Sequence, residues 1–497
     1  MKVLRVPWGR QLRWVTGLSL VATGVYSLVS FLRFSRFDSA GYDLGIFDQV
    51  VRQYSHFAPP YSEVKGLNFN IMGDHFHPIL ALLAPFYWAW DDPRMLGVAM
   101  ALLIAASVFP VYLFARTRLG HWPAFTIAAG YAFWWPIQGL VAFDFHEIAV
   151  GVPLIAWIIY ALDRKRYAVV SVLCLALLGV REDMGFMVMA VALIVLLRRR
   201  WKLAIVLFIT GAVVYQVVTG RIIPHFNSSG DFSYWDYTGL GPTMAAAVLF
   251  ILAHPLRTFG MLFNDNAKVL LWGWLFIPVG FLPLGSAYAL LVAPILLSRL
   301  LSDRSGTWST AFQYNAILAP ILVMAAVDVL GRVLRRFPGR LSVLRIGAPA
   351  VFAAGAAAGI AFAPNVFPLH NLLTGQAWAY STHMAAQQKI VNMIPSGVCV
   401  EADDRLVPHL TNRTTVGMVG RQVDYASWVA IDFSQANTGG GGDGNFTPFS
   451  ALTLKESDGF REVYRLDNIV LLHRPGPQPD FCSSPFQPAS RVGPASR

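Results

Sequence analysis

Long apolar stretches alternate along this chain with short polar breaks, and the breaks are of two kinds. One kind is cationic: Ala115-Arg116-Thr117-Arg118, Asp163-Arg164-Lys165-Arg166, Arg198-Arg199-Arg200 and the arginine-rich stretch 332–345. The other collects carboxylates and imidazoles: Tyr42-Asp43-Leu44, Asp74-His75-Phe76-His77, Asp144-Phe145-His146-Glu147 and Arg181-Glu182-Asp183. Lys and Arg in short loops mark the cytoplasmic face of a bilayer. The acidic and imidazole breaks therefore share the opposite face. The pattern predicts an α-helical polytopic membrane protein with spans at about 14–32, 95–115, 122–142, 147–162, 167–180, 184–197 and 203–220. A pair follows within 268–301, turning near Pro283-Leu284-Gly285, and two more at about 312–330 and 343–363, which makes about eleven.

Between the first two spans lies a long outer loop, about 33–94, whose one apolar segment, about 77–90, is too short to cross a core that needs roughly 20 apolar residues. Pro78 opens that segment and Phe86-Tyr87-Trp88 closes it, as in a helix lying on the membrane surface. A second outer segment, about 221–267, reads as a mobile loop over an outer cavity, with Asn227-Ser228-Ser229-Gly230 and Phe232-Ser233-Tyr234-Trp235 in it. Past the membrane domain, 1–363, polar and charged residues return. Strands are predicted around Val398-Cys399-Val400-Glu401-Ala402, at about 414–418 and at about 426–432, with a short helical segment over 403–410 broken at Pro408. Segments 460–466 and 469–473 flank Asp467-Asn468, a two-residue hairpin turn. This makes a small extracytoplasmic α/β domain over 364–480. The run 439–442 is a flexible glycine loop, and 481–497, rich in Pro and Ser, reads as a disordered tail.

Composition narrows the class. Of 497 residues 55% are hydrophobic and only 13% charged, against roughly 25% charged in soluble domains. The net charge of +11 follows from topology, so no nucleic-acid partner is expected. Lys2, Arg5, Arg10 and Arg13 precede the first apolar stretch without a small-residue cleavage site, which predicts a retained signal anchor and a cytoplasmic N-terminus. Three cysteines exclude a cysteine-rich zinc site; Cys174 falls in a span, while Cys399 and Cys482 could pair in an extracytoplasmic tail.

Each outer cluster has a structural and a functional account. Apolar and aromatic neighbours around Asp43 would partly desolvate it and raise its pKa, as suits a general base; alternatively Ser39 or Asp43 caps a helix lying on the membrane, a structural account that also covers the neighbours Asp38 and Asp48. Asp74, His75 and His77 would contact an acceptor or phosphate, ligate a divalent cation, or merely precede the helix that Pro78 opens. Asp144, His146 and Glu147 offer either polar contacts or an imperfect capping box. Arg181, Glu182 and Asp183 either pair among themselves or supply a phosphate clamp. Arg299 and Arg304 either snorkel or bind a lipid phosphate, just ahead of Gln313 and Tyr314.

Several of these words, Tyr42-Asp43-Leu44-Gly45-Ile46-Phe47-Asp48-Gln49, Asp74-His75-Phe76-His77-Pro78, Ala84-Pro85-Phe86-Tyr87, Phe143-Asp144-Phe145-His146, Arg181-Glu182-Asp183 and Gln313-Tyr314, resemble a bacterial family of multi-spanning membrane proteins known by an unknown-function domain name. The resemblance covers roughly 35–430. That family is in turn similar to the GT-C glycosyltransferases. The resemblance implies a polyprenyl-phosphate sugar donor, an outward-facing site and a catalytic carboxylate in the first outer loop. Asp43 matches that carboxylate best, with Asp48 and Asp74 as the other candidates. GT-C enzymes often carry paired acids there, whereas the only adjacent pair in this loop, Asp91-Asp92, lies at its far end.

The expectation is a membrane glycosyltransferase with Asp43 as base, moving sugar to an extracytoplasmic glycan or protein. Arg181, or Arg299 with Arg304, would stabilise the departing phosphate, and the tail would bind or position the acceptor. No cofactor is called for, and a divalent cation is left open. A transporter or flippase of a lipid-linked substrate is the alternative; it would need midplane charges and broken helices in related halves. A non-catalytic scaffold is the third.

Overall fold

In the computed structural model, residues 8–339, 341–420, 425–435 and 447–483 are described; the glycine run 439–442 and nearly all of the expected tail 481–497 lie outside them. Five described helices are long and apolar enough to cross a membrane: Trp8–Ser35, Arg94–Leu119, Trp201–Phe226, Gln313–Arg336 and Leu344–Phe362. Shorter apolar helices include Ile148–Asp163, Tyr167–Leu178, Met184–Leu197 and Ala287–Leu301. Reaching about eleven spans would require most of these shorter helices to cross as well.

Three segments depart from the pattern. The expected span at 122–142 breaks after His121–Ala132 and resumes as Trp135–Val141, because Trp134 is extended and Pro136 can only begin a new helix. The expected loop at 221–267 contains Met244–Ala253 and Pro255–Met261, bent by 108° and together apolar enough to span. Thr243 caps the first by accepting from the Ala246 amide, and Pro255 starts the second. The expected pair within 268–301 reduces to Asn266–Phe276, only 11 residues long, followed by 3₁₀ turns and Val292–Leu301.

The two kinds of break sit at opposite ends of the same helices. Arg94–Leu119, Ile148–Asp163 and Leu318–Arg336 all run toward one cluster, where Arg118 pairs with Asp163 at 2.6 Å and Asp328 at 3.3 Å. Their other ends meet the first loop. There the segment Pro78–Ala89 forms as a 3₁₀ turn and a short helix, with Leu82, Phe86 and Trp88 exposed.

The C-terminal sheet has strands β1 (Cys399–Ala402), β2 (Thr415–Met418), β3 (Trp428–Asp432), β4 (Arg461–Leu466) and β5 (Ile469–His473), in the order β2-β1-β3-β5-β4. β1 runs parallel to β2 and β3, and β5 antiparallel to β3 and β4. The hairpin turns at Asp467 and Asn468, both with positive φ, as its sequence predicts. Segment 403–410 yields only a 3₁₀ turn, Val407–His409. Cys399 and Cys482 form a disulfide, and Cys174 is buried among the helices. Alternation along the strands divides two cores. Val429, Ile431, Val470 and Leu472 face a small cluster of their own, whereas Ala430, Ile469 and Leu471 join Val400, Leu406 and Val407 in the core that continues into the helical bundle through Leu44 and Phe47.

Candidate functional site

Where the first loop meets the bundle, a cavity of about 750 Å³ opens. Its upper wall is polar and comes from the loop ends; its lower wall is apolar, with Phe186, Met189 and Leu193 on one helix, Phe208 on the next and Leu297 on a third. Asp43, Asp74, His75, His77, His146, Glu147, Arg181, Glu182, Arg299, Arg304, Gln313 and Tyr314 all line it. Residues as far apart in sequence as Asp43 and Tyr314 thus converge on one site.

Asp48 and Asp144 do not line it, for identifiable reasons. Asp48 is fully buried, accepts from Arg52 at 3.0 Å and from the Tyr87 hydroxyl at 2.7 Å, and so ties the surface helix to Ile46–Ser55. Asp144 adopts φ 75°, so it is neither a helix cap nor half of a capping box; Glu147 occupies the cap position without a side-chain cap bond. Instead Asp144 accepts from Ser39 Oγ at 2.8 Å and the Ala40 amide at 3.1 Å, and pairs with Arg33 at 3.3 Å. Ser39 is thereby occupied and caps nothing, and Ala40 stands at the start of the π-helical turn Gly41–Gly45 that carries Asp43.

Asp43 is not isolated among apolar groups: its Oδ1 lies 3.3 Å from His146 Nε2. Across the cavity His75 Nδ1 donates to Glu182 Oε1 at 2.8 Å, and the Phe76 amide donates to the other Glu182 oxygen at 3.2 Å. Glu182 therefore leaves the Arg181-Glu182-Asp183 triplet. Arg181 holds Asp183 with two bonds of 2.8 and 2.7 Å and Glu147 at 3.3 Å, so the mutual-pairing account holds for Arg181 and Asp183.

These pairings set the protonation states. Burial works against a charged His75, but the Glu182 carboxylate, with Asp74 and Glu147, overcomes it and pushes the imidazole up to about 9. Burial would likewise raise Glu182, yet His75 and Arg181 hold it below its ordinary value. Glu147 is lowered against burial by Arg181, His146 and His77. His77, by contrast, is lowered by burial, with His75 adding to the effect, and its buried Nδ1 has no hydrogen-bond partner among the described residues. Burial of His146 is outweighed by its bond to Asp43, which raises it.

Three polar lining residues were not named as site residues from sequence: Lys65, Tyr234 and Asp236. Lys65 donates to the Tyr42 hydroxyl at 2.8 Å and pairs with Asp74 at 3.2 Å. Tyr234, from the aromatic run in the second loop, donates to Asp74 at 2.5 Å and stacks on His75 with centroids 4.2 Å apart. Asp236 pairs with Arg304 at 3.1 Å. A lone lysine between Tyr42 and Phe69 was the available signal for Lys65, since aromatic rings on both sides hold a cation in place.

The arginines divide by what they already hold. Arg299 spends its guanidinium on the Thr307 and Tyr314 carbonyls and Asn315 Oδ1, at 2.6–3.1 Å. It therefore fixes the loop that presents Gln313 and Tyr314 with four of its five N–H groups, and Arg181 is engaged by Asp183 and Glu147 through three of its five. Arg304 is half exposed with one partner, and His75 uses only Nδ1. Lys65, His75 and Arg304 line the cavity with N–H groups beyond those taken up by their partners Tyr42, Asp74, Glu182 and Asp236. Among the described residues, no group of three or more His, Cys, Asp or Glu side chains is arranged to hold a metal ion.

A family model described as "Predicted membrane protein (DUF2079)" matches residues 33–443. No curated protein matches the sequence. Among solved structures, ArnT from Cupriavidus metallidurans bound to undecaprenyl phosphate is similar with a TM-score of 0.53 and 12% identity, 92% of this chain and 97% of that chain being covered. Its apo state gives 0.50 and 12%, with 92% and 98% covered. An oligosaccharyltransferase from Archaeoglobus fulgidus, tethered to an acceptor peptide, gives 0.40 and 12%, with 85% and 70% covered. The likeness to ArnT shows a GT-C-like fold.

Proposed function

The chain belongs to the DUF2079 family of predicted membrane proteins, and from that premise we propose that it is a GT-C-type glycosyltransferase. It moves a sugar from a polyprenyl-phosphate donor to an extracytoplasmic glycan or protein acceptor. In this reading the N-terminus is cytoplasmic, and the cavity and the C-terminal domain face outward. One observation carries the proposal. A single cavity joins an apolar lower wall, suited to an isoprenoid chain, to a polar rim where a carboxylate–imidazole pair (Asp43–His146) faces spare cationic donors on Lys65, His75 and Arg304.

The acceptor O–H gives its proton to Asp43 as its oxygen bonds to the anomeric carbon. The bond from that carbon to the phosphate oxygen breaks, and the polyprenyl phosphate leaves with the electron pair. His146 Nε2–H orients the Asp43 carboxylate. His75, Lys65 and Arg304 meet the charge that grows on the leaving phosphate, a role the sequence assigns to Arg181 or to Arg299 with Arg304.

Sugar transfer from a panel of radiolabelled polyprenyl-phosphate donors, in membranes holding wild type or Asp43→Asn, tests this. Wild-type transfer that falls at least about a hundredfold in the folded variant is expected for loss of a general base; equal transfer would remove Asp43 from the role. The 108° break between Met244–Ala253 and Pro255–Met261 is the kind of element transporters use. A flippase would move lipid across vesicles without any transfer.

A further inference from the structure

The turn that carries Asp43 begins with backbone donors its own sequence cannot satisfy. A helical start leaves its first N–H groups without partners, and a Ser, Thr, Asp or Asn at the cap normally supplies one. Here Ala40 holds the cap position and makes no side-chain bond. Acceptors arrive from two remote parts of the chain. Asp144 Oδ2 takes the Ala40 amide at 3.1 Å. Asp404 takes the next two, its carbonyl oxygen accepting from Gly41 at 2.8 Å and its Oδ1 from Tyr42 at 2.9 Å. Asp404 lies in the C-terminal domain, two residues beyond the end of β1.

The surrounding contact is close. A Cβ at Gly41 would lie 2.6 Å from Val407 Cβ and 3.0 Å from the Asp404 carbonyl oxygen, so only glycine lets the two segments meet. Further along, Gln49 donates to the Val416 carbonyl at 2.8 Å, and Arg405 bonds the Asp38 carbonyl. The domain is thus latched onto the helix that follows Asp43 as well as onto the turn itself.

We propose that Asp404 is a positioning residue that caps the Asp43 turn from the C-terminal domain, which makes that domain part of the catalytic site and not only an appended acceptor-binding module. The inference rests on Asp43 being the base. The fold offers a reason for the arrangement: a turn pinned from two sides holds its carboxylate in one place, and a misplacement of about 1 Å can cost on the order of a hundredfold in rate.

The test uses the full-length chain in membranes with Asp404→Ala and Asp404→Asn, reading donor transfer and deuterium uptake of the Tyr42 amide together. Asp404→Ala is expected to lower kcat about tenfold to a hundredfold with donor KM within about twofold, because the lipid-binding wall is untouched. It should also exchange the Tyr42 amide faster. Asn keeps an oxygen acceptor at the same reach, so Asp404→Asn should restore most of both. If Asp404→Ala does not accumulate, Asp404→Glu substitutes for it: its extra methylene displaces the acceptor while keeping the charge, and it too should lose kcat. Unchanged kcat in Asp404→Ala or Asp404→Glu, or an Asn variant as impaired as Ala, overturns the proposal. Should the wild type transfer no sugar from any donor, the glycosyltransferase reading fails on its own; amide exchange then decides, with unchanged Tyr42 protection in Asp404→Ala overturning the cap.

Discussion

At the residue scale, the site is built from charges that fix one another's protonation. His75 is the clearest case, since the Glu182 carboxylate outweighs burial and holds its imidazole up to about 9. A raised cationic group acts fully below its ordinary value and fades as pH climbs through its folded one. Donor KM in the wild type should therefore be flat through neutral pH and rise as pH passes about 9, by about tenfold for one charge-assisted phosphate bond. Glu182→Gln removes the largest raising influence, so the same rise should begin nearer the ordinary value of 6.5. Donor KM measured from pH 6 to 10 in both proteins checks this, and superimposable profiles would refute the role of Glu182. The sequence displays both residues as charged words, but nothing in it shows that His75 would choose Glu182, 107 positions away, over its neighbour Asp74. The same limit hid Lys65, whose partners Tyr42 and Asp74 flank it at a distance in sequence.

At the element scale, the apolar helix Pro78–Ala89 could be read from its length and its opening proline, but its anchor could not. Arg52 and Asp48 are both fully buried, one turn apart on Ile46–Ser55, with Tyr87 reaching across to Asp48 and Asp91 pairing with Arg52. Asp48 looked like a site residue because a carboxylate beside Asp43 invites that reading; burial with a guanidinium makes it a tether instead. Arg52→Ala should cost about 3–5 kcal/mol, since it strands a buried carboxylate. Replacing the group as a whole, with Asp48→Leu, Arg52→Met and Tyr87→Phe together, should cost far less, because no buried charge or donor is left behind. Thermal unfolding in detergent distinguishes the two, and equal midpoints for Arg52→Ala and wild type would show the pair to be idle. The bent pair at 244–261 was missed for the opposite reason. Its ten-residue apolar run is too short to be taken for a span by itself, and the partner that completes it follows Pro255, which reads as an end and not a continuation.

At the scale of the whole molecule, the separation of the two kinds of charged break was legible because they alternate along the chain, and the structure gathers the acidic breaks around one cavity and Arg118 with its carboxylates at the far ends of the helices. The contact between the two domains was not legible, since it depends on a glycine, a backbone carbonyl and an aspartate that carry no motif. The disulfide gives this contact a measurable consequence. Cys399 opens β1, the strand that leads directly to Asp403 and Asp404, and Cys482 lies 83 residues on, past every other strand of the sheet. Closing so long a loop restrains the unfolded chain, and losing the bond should cost the domain about 2–4 kcal/mol. If the domain served only to bind acceptor, Cys399→Ser with Cys482→Ser would raise acceptor KM and leave kcat alone. If it also holds the Asp43 turn through Asp404, the same double variant, assayed near its own melting range, should lose kcat at saturating acceptor while donor KM stays constant. Reduction of the wild type should do the same, with Cys174 silent because it is buried among the helices. A melting curve read beside kcat at each temperature makes the comparison direct: activity should fall with the C-terminal domain, before the helical bundle unfolds.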